Sequence, residues 1–232
     1  MAGNPAGIRA PGTISLWAGG IELAFENLTA EEIAVFDRDL AKMSGYFSQS
    51  RDLQNLFLED RDTYLYCASI AKKQLGTGFG GVTPGSGQIG MQLIRSKLIL
   101  GAANWLQTIS AAGWNNIFGS SSSPVDLSST SSTYGNPQNR CVLCIPKLMD
   151  ICAPKITEAW FNVGPTQYPI FPIGLFSVAD LFVAKIPAAV YVGKNGRFYM
   201  RGNIIGNGVV EGVAPLGICF ALSEFITGSG QE

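Results

Sequence analysis

The stretch RCVLCIPKLMDIC, residues 140–152, marks the point where this chain changes character. Ahead of it lie patterns typical of helices. Beyond it come short runs of β-forming residues, separated by proline and glycine, which are typical of strands and bends. This order predicts an α+β fold, in which a helical N-terminal half follows a short hairpin and precedes an antiparallel, β-rich C-terminal half.

The first 76 residues carry local signals for a hairpin and two helices. Residues 13–25 alternate partly around Gly19 and Gly20, which predicts two strands joined by a two-residue turn. Thr29 and Glu32 have the spacing of a capping box and predict a helix that runs to about Met43. A second helix is expected over residues 51–75, ended by the glycine at position 76.

The middle of the chain is poor in charge. Apolar residues at helical spacing predict a third helix over residues 88–112. Residues 98–139 contain a single charged residue, Asp126, and residues 119–133 contain ten serines or threonines. These features indicate residues 1–118 as the hairpin and helical region, 119–139 as a Ser/Thr-rich loop, and 140–232 as the β-rich region. We expect the two regions to pack together as one assembly subunit.

The clearest strand signal is AVYVGKNGRFYM, residues 189–200. Asn195 and Gly196 both tolerate positive φ, so the pattern predicts a hairpin that turns there.

Three of the five cysteines fall in residues 140–152. Cys141 and Cys144 have the spacing of half a zinc site or of a redox pair. A zinc site would need a distant fourth ligand, and Val-Leu followed by Pro146 does not suit a redox helix. On a strand the two thiols face opposite sides, so we expect no bridge between them, and at most one of them buried with the core. The leading interpretation is buried free thiols, and the alternative is an inter-subunit disulfide through Cys141, Cys144 or Cys152.

Two further motifs have ordinary explanations. The run GTGFGG, residues 76–81, matches a dinucleotide fingerprint, but a helix precedes it and no acidic residue follows between Asp62 and Asp126. We interpret it as a linker between two helices. The acidic and basic residues of 37–39 and 59–62 alternate, which favours a solvated, salt-bridged helix face over a catalytic or cation-binding carboxylate pair.

The composition excludes much chemistry. The chain has no histidine, so Ser-His-Asp and Cys-His nucleophile pairs and histidine metal sites cannot form from it alone. We therefore expect no catalytic residues, no metal and no cofactor. The formal charge is −1, which does not indicate a nucleic-acid site. The opening MAGNPAGIRAPG lacks the apolar run of a signal peptide, which indicates synthesis in the cytoplasm.

Only 14% of the residues are charged, which suits a chain whose surface is covered by neighbours. The expected function is a non-enzymatic structural subunit of a large assembly, foremost a component of a virus or bacteriophage particle, made in the host cytoplasm. Its expected partners are its own copies and other subunits, not a small-molecule substrate. One alternative is a membrane-associated or translocation component that sets the uncharged residues 98–118 against lipid. The last is an enzyme that works through cysteine or a carboxylate.

Overall fold

A computed structural model of the chain describes residues 13–16, 21–24, 28–80, 87–102, 104–127, 141–151, 156–173, 177–178, 181–207 and 209–223. Helices occupy the N-terminal region and antiparallel sheets the C-terminal half, which confirms the α+β class.

The N-terminal hairpin and first helix form as predicted, with one difference. Strands β1 (Thr13–Leu16) and β2 (Ile21–Ala24) pair antiparallel, but four residues separate their paired ends instead of two. Helix α1 (Ala30–Ser44) is followed by a 3₁₀ turn (Gly45–Phe47). Both halves of the capping box are present: the Glu32 amide donates to Thr29 Oγ1 at 3.2 Å and the Thr29 amide to Glu32 Oε2 at 2.8 Å. This confirms the predicted helix start.

The helix expected over residues 51–75 is broken in two, as α2 (Arg51–Leu58) and α3 (Arg61–Leu75). The carbonyl of Leu56, which would accept from the Asp60 amide in an unbroken helix, accepts a bond of 2.8 Å from Lys147 Nζ. A distant side chain therefore occupies the junction. The predicted end is confirmed, because Gly76 follows α3 with φ +74°, a conformation that favours glycine.

The third predicted helix is wrong. Residues 88–112 form β3 (Ile89–Leu93), the short helix α4 (Ser96–Leu100) and β4 (Leu106–Ile109). Gly101 ends α4 with φ +68°, and β3 pairs with a strand more than a hundred residues further on. Pairing between distant segments thus overrides the local helical spacing. Strands β5 (Gly113–Phe118) and β6 (Val125–Asp126) follow.

Eight more strands complete two sheets. They are β7 (Cys141–Asp150), β8 (Ile156–Val163), β9 (Thr166–Gln167), β10 (Phe171–Pro172), β11 (Ser177–Val178), β12 (Leu181–Val192), β13 (Arg197–Ile204) and β14 (Val209–Leu222). Sheet 1 has the order β10-β8-β13-β5, with β9 beside β8 and β6 beside β13. Sheet 2 has the order β11-β12-β7-β14-β3, with β4 also paired to β14. Strands from both sides of the Ser/Thr-rich region therefore share each sheet.

The elements form three layers with two hydrophobic cores. The first core lies between the sheets and contains Phe118 and Phe161 of sheet 1 and Leu143 of sheet 2. The second lies between the opposite face of sheet 2 and the helices, and includes Phe36 and Phe220. The order of layers is helices, sheet 2, sheet 1, so the outer face of sheet 1 belongs to neither core.

The strands predicted on either side of Asn195 and Gly196 are present, but they do not form a hairpin. Asn195 has φ +61°, and the Gly196 amide donates to the Gly193 carbonyl at 2.9 Å, so the turn itself is as expected. However, β12 pairs with β7 and β11, whereas β13 lies between β8 and β5. The turn connects the two sheets. A period-2 pattern indicates which face is buried, but it does not identify the partner strand.

Strand β7 contains a bulge at Pro146. Its pairing with β14 passes from Lys147↔Leu216 to Cys144↔Ile218, which leaves one extra residue on β7. A proline has no amide to donate, so a bulge is where a central strand can hold one. The extra residue also shifts the alternation of side chains, and Lys147 therefore points to the helices.

Candidate functional site

The four cysteines among the described residues are buried as two pairs on opposite faces of sheet 2. Cys141 and Cys219 contact each other in the core between the sheets. Cys144 contacts Cys67 of α3 in the core beneath the helices. Both Cys141 and Cys144 are 0% exposed, so the expectation that at most one of them is buried is wrong. The bulge follows Cys144, so both lie in the regularly alternating part of the strand.

The surroundings of Cys141 and Cys144 make these two thiols poor nucleophiles. The hydrogen bond with Cys219, together with burial, raises the pKa of Cys141 well above its usual range. Burial, together with the contact to Cys67, does the same to the pKa of Cys144. A bridge from either thiol to another chain would require the layers around it to part. The inter-subunit disulfide therefore remains a prediction, and Cys152 is its main candidate. Cys152 lies outside the described residues.

A buried charged cluster joins sheet 2 to the helices. Lys147 Nζ forms ion pairs with the Asp60 carboxylate and, at 2.6 Å, with Glu59 Oε1, and donates to the Leu56 carbonyl. Both Lys147 and Asp60 are nearly inaccessible, while the Glu59 side chain is 47% exposed. Burial raises the pKa of Asp60, although the bond from Lys147 acts in the opposite direction.

This cluster connects sheet 2 to the helix layer. An ammonium group has three donors, and three oxygens of the α2–α3 junction accept from Lys147. All three donors of Lys147 are therefore used inside the fold.

Glu32 and the glycine-rich run form a second structural cluster. Glu32 accepts from the Phe79 amide at 3.1 Å and pairs with Lys72 at 2.7 Å, in addition to its capping bond. Burial alone would raise the pKa of Glu32, but these bonds lower it. A Cβ at Gly78 would lie 2.7 Å from the Glu32 carboxylate, so glycine allows this close approach. The run connects α3 to β3, and the expectation of a linker between two helices is wrong.

The alternating charges of residues 37–39 and 59–62 are used in ion pairs, as predicted, but Asp39 and Asp60 are only 4% exposed, so the expectation of a fully solvated face is wrong. Arg61 binds Asp37 through two bonds, at 2.7 and 2.8 Å, and Asp39 contacts Arg38 at 3.1 Å and Lys42 at 3.6 Å. In the described part of the chain, no three or more Cys, Asp or Glu residues are grouped so that they could hold a metal ion.

Within the uncharged range 98–118, residues 98–100 belong to α4, and 106–109 and 113–118 form β4 and β5. No helix in the described ranges is long and apolar enough to cross a membrane. Trp105 packs on Phe118 at 6.0 Å between ring centroids, and Gln107 Nε2 donates to the Ile117 carbonyl at 3.0 Å, which ties β4 to β5. We call β4 and β5 together the uncharged edge. Leu106, 48% exposed, lies on it.

Among the described residues, the outer face of sheet 1 packs in neither core. Its cross-strand register aligns Arg201 with Asn116 and Trp160, and in the next row Asn203 with Trp114 and Glu158. Tyr199 lies beside Trp160, with ring centroids 5.6 Å apart and planes at 70°. We call this surface the aromatic face.

Arg201 lies at the centre of the aromatic face. Its Nη2 donates to the Trp114 carbonyl at 2.9 Å, which holds the guanidinium against β5. Its Nε is buried and has no hydrogen-bond acceptor within the described residues. The Glu158 carboxylate is oriented by Asn203 Nδ2 at 3.3 Å. The face thus presents Arg201 and Glu158 among aromatic and amide side chains, in addition to the ion pair of Arg197 with Asp126 at 2.7 Å.

The sequence contains the signal for this face, although the motif analysis above does not single it out. In β13, Arg197, Tyr199, Arg201 and Asn203 alternate with the buried residues Phe198, Met200 and Ile204. The alternation predicts a half-buried strand, but only the pairing of β5, β8 and β13 brings the outward residues together. No protein-family model, curated protein or solved structure matched this chain when it was compared with them.

Proposed function

We propose that this chain is a non-enzymatic structural subunit of a large protein assembly, foremost a virus or bacteriophage particle, as a capsid-associated, neck, tail or baseplate component. The observation that carries the proposal is the uncharged edge. Strand β5 lies at the end of sheet 1, and neither β4 nor β5 contains a charged residue or a proline. Monomeric proteins usually place charged residues or prolines on an exposed sheet edge, because an edge without them pairs with strands of other chains.

The buried reactive groups of the described residues are engaged inside the fold, which supports a structural role. The described thiols are buried, Lys147 binds from sheet 2 to the α2–α3 junction, and Glu32 binds Lys72 and the Phe79 amide. The proposed partners are copies of this chain and other subunits of the assembly. The specific choice of a virus particle rests on composition: few charges, a Ser/Thr-rich stretch and a β-rich half rich in proline.

Sedimentation and gradient fractionation test the proposal. We expect the purified chain to self-associate at concentrations on the order of 50 µM, because a surface so poor in charge does not favour a monomer. In lysates of the producing cells, we expect the chain to sediment with particles and to be absent from the membrane fraction. A stable monomer that sediments apart from every particle would overturn the proposal. Flotation with vesicles, with release only by detergent, would instead support contact of residues 98–118 with lipid.

A further inference from the structure

We propose that the aromatic face of sheet 1 is the surface on which a second copy of this chain docks, face to face, about a two-fold axis. The proposal rests on the structural role argued above and names the surface and the residues through which the chain binds its own copy.

The first argument is the kind of residue on the aromatic face. Trp114, Trp160, Tyr199 and Arg201 belong to the types that dominate the binding energy of protein interfaces. All residues of β5, β8 and β13 are described, and none of them is lysine, a type depleted from interface cores. The opposite side of sheet 1 already packs in the core between the sheets. Within the described part of the chain, sheet 1 thus has one face that packs in the core and one that packs against no other element.

The second argument is charge, which selects the partner. Arg197 is outward on β13 but is already neutralised by Asp126 at 2.7 Å, so within the described residues Arg201 and Glu158 are the charges of the aromatic face that have no ion pair. They lie on neighbouring strands in adjacent rows of the register. Consider a two-fold axis that lies in the interface plane and passes midway between Arg201 and Glu158. It places Arg201 opposite the partner's Glu158, and Glu158 opposite the partner's Arg201. A surface with one cation and one anion complements its own copy, whereas a surface of a single sign would repel it.

The third argument is the way Arg201 is held. Its Nη2 donates to the Trp114 carbonyl at 2.9 Å, so its own chain fixes the guanidinium against β5, while the residue as a whole is only partly buried. A carboxylate from a facing copy can accept from the guanidinium N–H groups at the surface of the face, in the planar geometry that arginine and carboxylates prefer. Near-neutral charge also disfavours a polyanion such as nucleic acid as the occupant. The aromatic face continues directly into the uncharged edge through Trp114 and Asn116 of β5.

A charge-swap experiment tests the pairing. The full chain is compared by analytical ultracentrifugation with Glu158→Arg, Arg201→Glu and the double variant Glu158→Arg/Arg201→Glu. Each single variant sets like charges opposite each other twice in a two-fold dimer, and we expect the dimer to weaken by at least about 100-fold. The double variant restores opposite charges, and we expect it to recover most of the affinity. Lys73→Glu, an exposed charge reversal on α3, is the matched control and should leave association unchanged.

The outcomes separate the two proposals. If wild-type protein self-associates and the single variants associate equally well, the aromatic face is not the interface, while the structural role stands. If the double variant stays as weak as the single variants, the Arg201–Glu158 pairing is wrong. A wild-type chain that stays monomeric overturns the proposed dimer, and it overturns the structural role only if it also sediments apart from every particle. Arg201→Glu loses the bond to the Trp114 carbonyl and could fail to fold for that reason. In that case Glu158→Arg and Trp160→Ala provide the test, because neither of these side chains binds a backbone carbonyl. If both variants associate as well as wild type, the proposal is overturned.

Discussion

The ammonium group of Lys147, in the middle strand of sheet 2, is bound by the carboxylate of Asp60 at the junction of α2 and α3. Both groups are buried. Lys147 also donates to the Leu56 carbonyl, which would accept from the Asp60 amide in an unbroken helix. The same contact therefore divides the helix and anchors it to the sheet. A buried pair of this kind adds little net stability compared with apolar residues, but loss of one partner leaves the other charge buried and unpaired.

We predict that Lys147→Met destabilises the fold by about 3–5 kcal/mol near neutral pH, as is usual when one partner of a buried pair is removed. The loss should shrink in acid, because the Asp60 pKa is already raised by burial and rises further without Lys147. A carboxyl whose pKa is higher in the folded state than in the unfolded state contributes to folding stability while it is protonated. That contribution is lost as the pH rises through the folded-state pKa. Chemical denaturation over a range of pH measures both effects.

Two further variants control this experiment. Lys185→Met removes the exposed lysine directly across the strand pair from Lys147 and should leave stability nearly unchanged. Asp60→Leu combined with Lys147→Met replaces the pair with apolar residues and should regain most of the loss. If the double variant is no more stable than Lys147→Met alone, buried charge is not the cause of the destabilisation.

We predict that Glu32→Gln lowers stability near neutral pH by about 1–3 kcal/mol, because an ionised acceptor is lost from two backbone amides and from Lys72. The folded-state pKa of Glu32 is lowered, so its stabilisation is present above the unfolded-state pKa and disappears as pH falls through the folded-state value. The unfolding curves of wild type and variant should therefore converge in acid. Glu31→Gln, its exposed neighbour, is the control. A difference that stays constant with pH would exclude the charge of Glu32 as its origin.

Signals within a few residues predicted local structure correctly. The Thr29–Glu32 box, the glycine after α3 and the turn at Asn195 each depend on atoms close together in sequence. Residues 88–112 show where such signals fail, because the helical spacing of their apolar residues is coincidental. β3 forms there because β14 offers it a partner edge.

The sites depend even more on contacts between distant segments. Lys147 stands out in the sequence as a charge within an apolar run, but its partner Asp60 is 87 residues away. The spacing of Cys141 and Cys144 correctly predicts that they face opposite sides of a strand. It cannot indicate that Cys219 and Cys67 meet them there, because those contacts require both neighbouring layers. The aromatic face likewise arises only when three strands pair in register.

The cysteine arrangement predicts which thiol forms an inter-chain disulfide, should one form on oxidation. We expect a disulfide-linked dimer of the native assembly to be lost in Cys152→Ser and retained in Cys141→Ser and Cys144→Ser, because the latter two thiols are buried in one chain. Non-reducing electrophoresis after exposure to oxygen or peroxide measures this. In the same samples Cys67 and Cys219 should resist alkylation until the protein unfolds. A dimer band that survives Cys152→Ser but not Cys144→Ser would contradict the buried placement.

The bulge at Pro146 makes Gly217 a position where a single methyl group should be costly. Gly217 lies on β14 opposite the extra residue of β7, and a Cβ there would meet the Cys144 carbonyl at 2.3 Å and Ile145 Cα at 3.1 Å. Both contacts are with backbone atoms in the middle of sheet 2, which cannot move aside as the end of a side chain can. We predict that Gly217→Ala destabilises the fold by about 1–3 kcal/mol, the usual cost of overpacking a core.

Gly45→Ala is the matched control, since Gly45 has right-handed helical dihedral angles and nothing within 4 Å of its would-be Cβ. It should be neutral or slightly stabilising, because alanine restricts the unfolded chain. Thermal and urea unfolding of the two variants decide the matter: if Gly217→Ala is as stable as Gly45→Ala, β7 and β14 are not packed as closely at the bulge as this register requires.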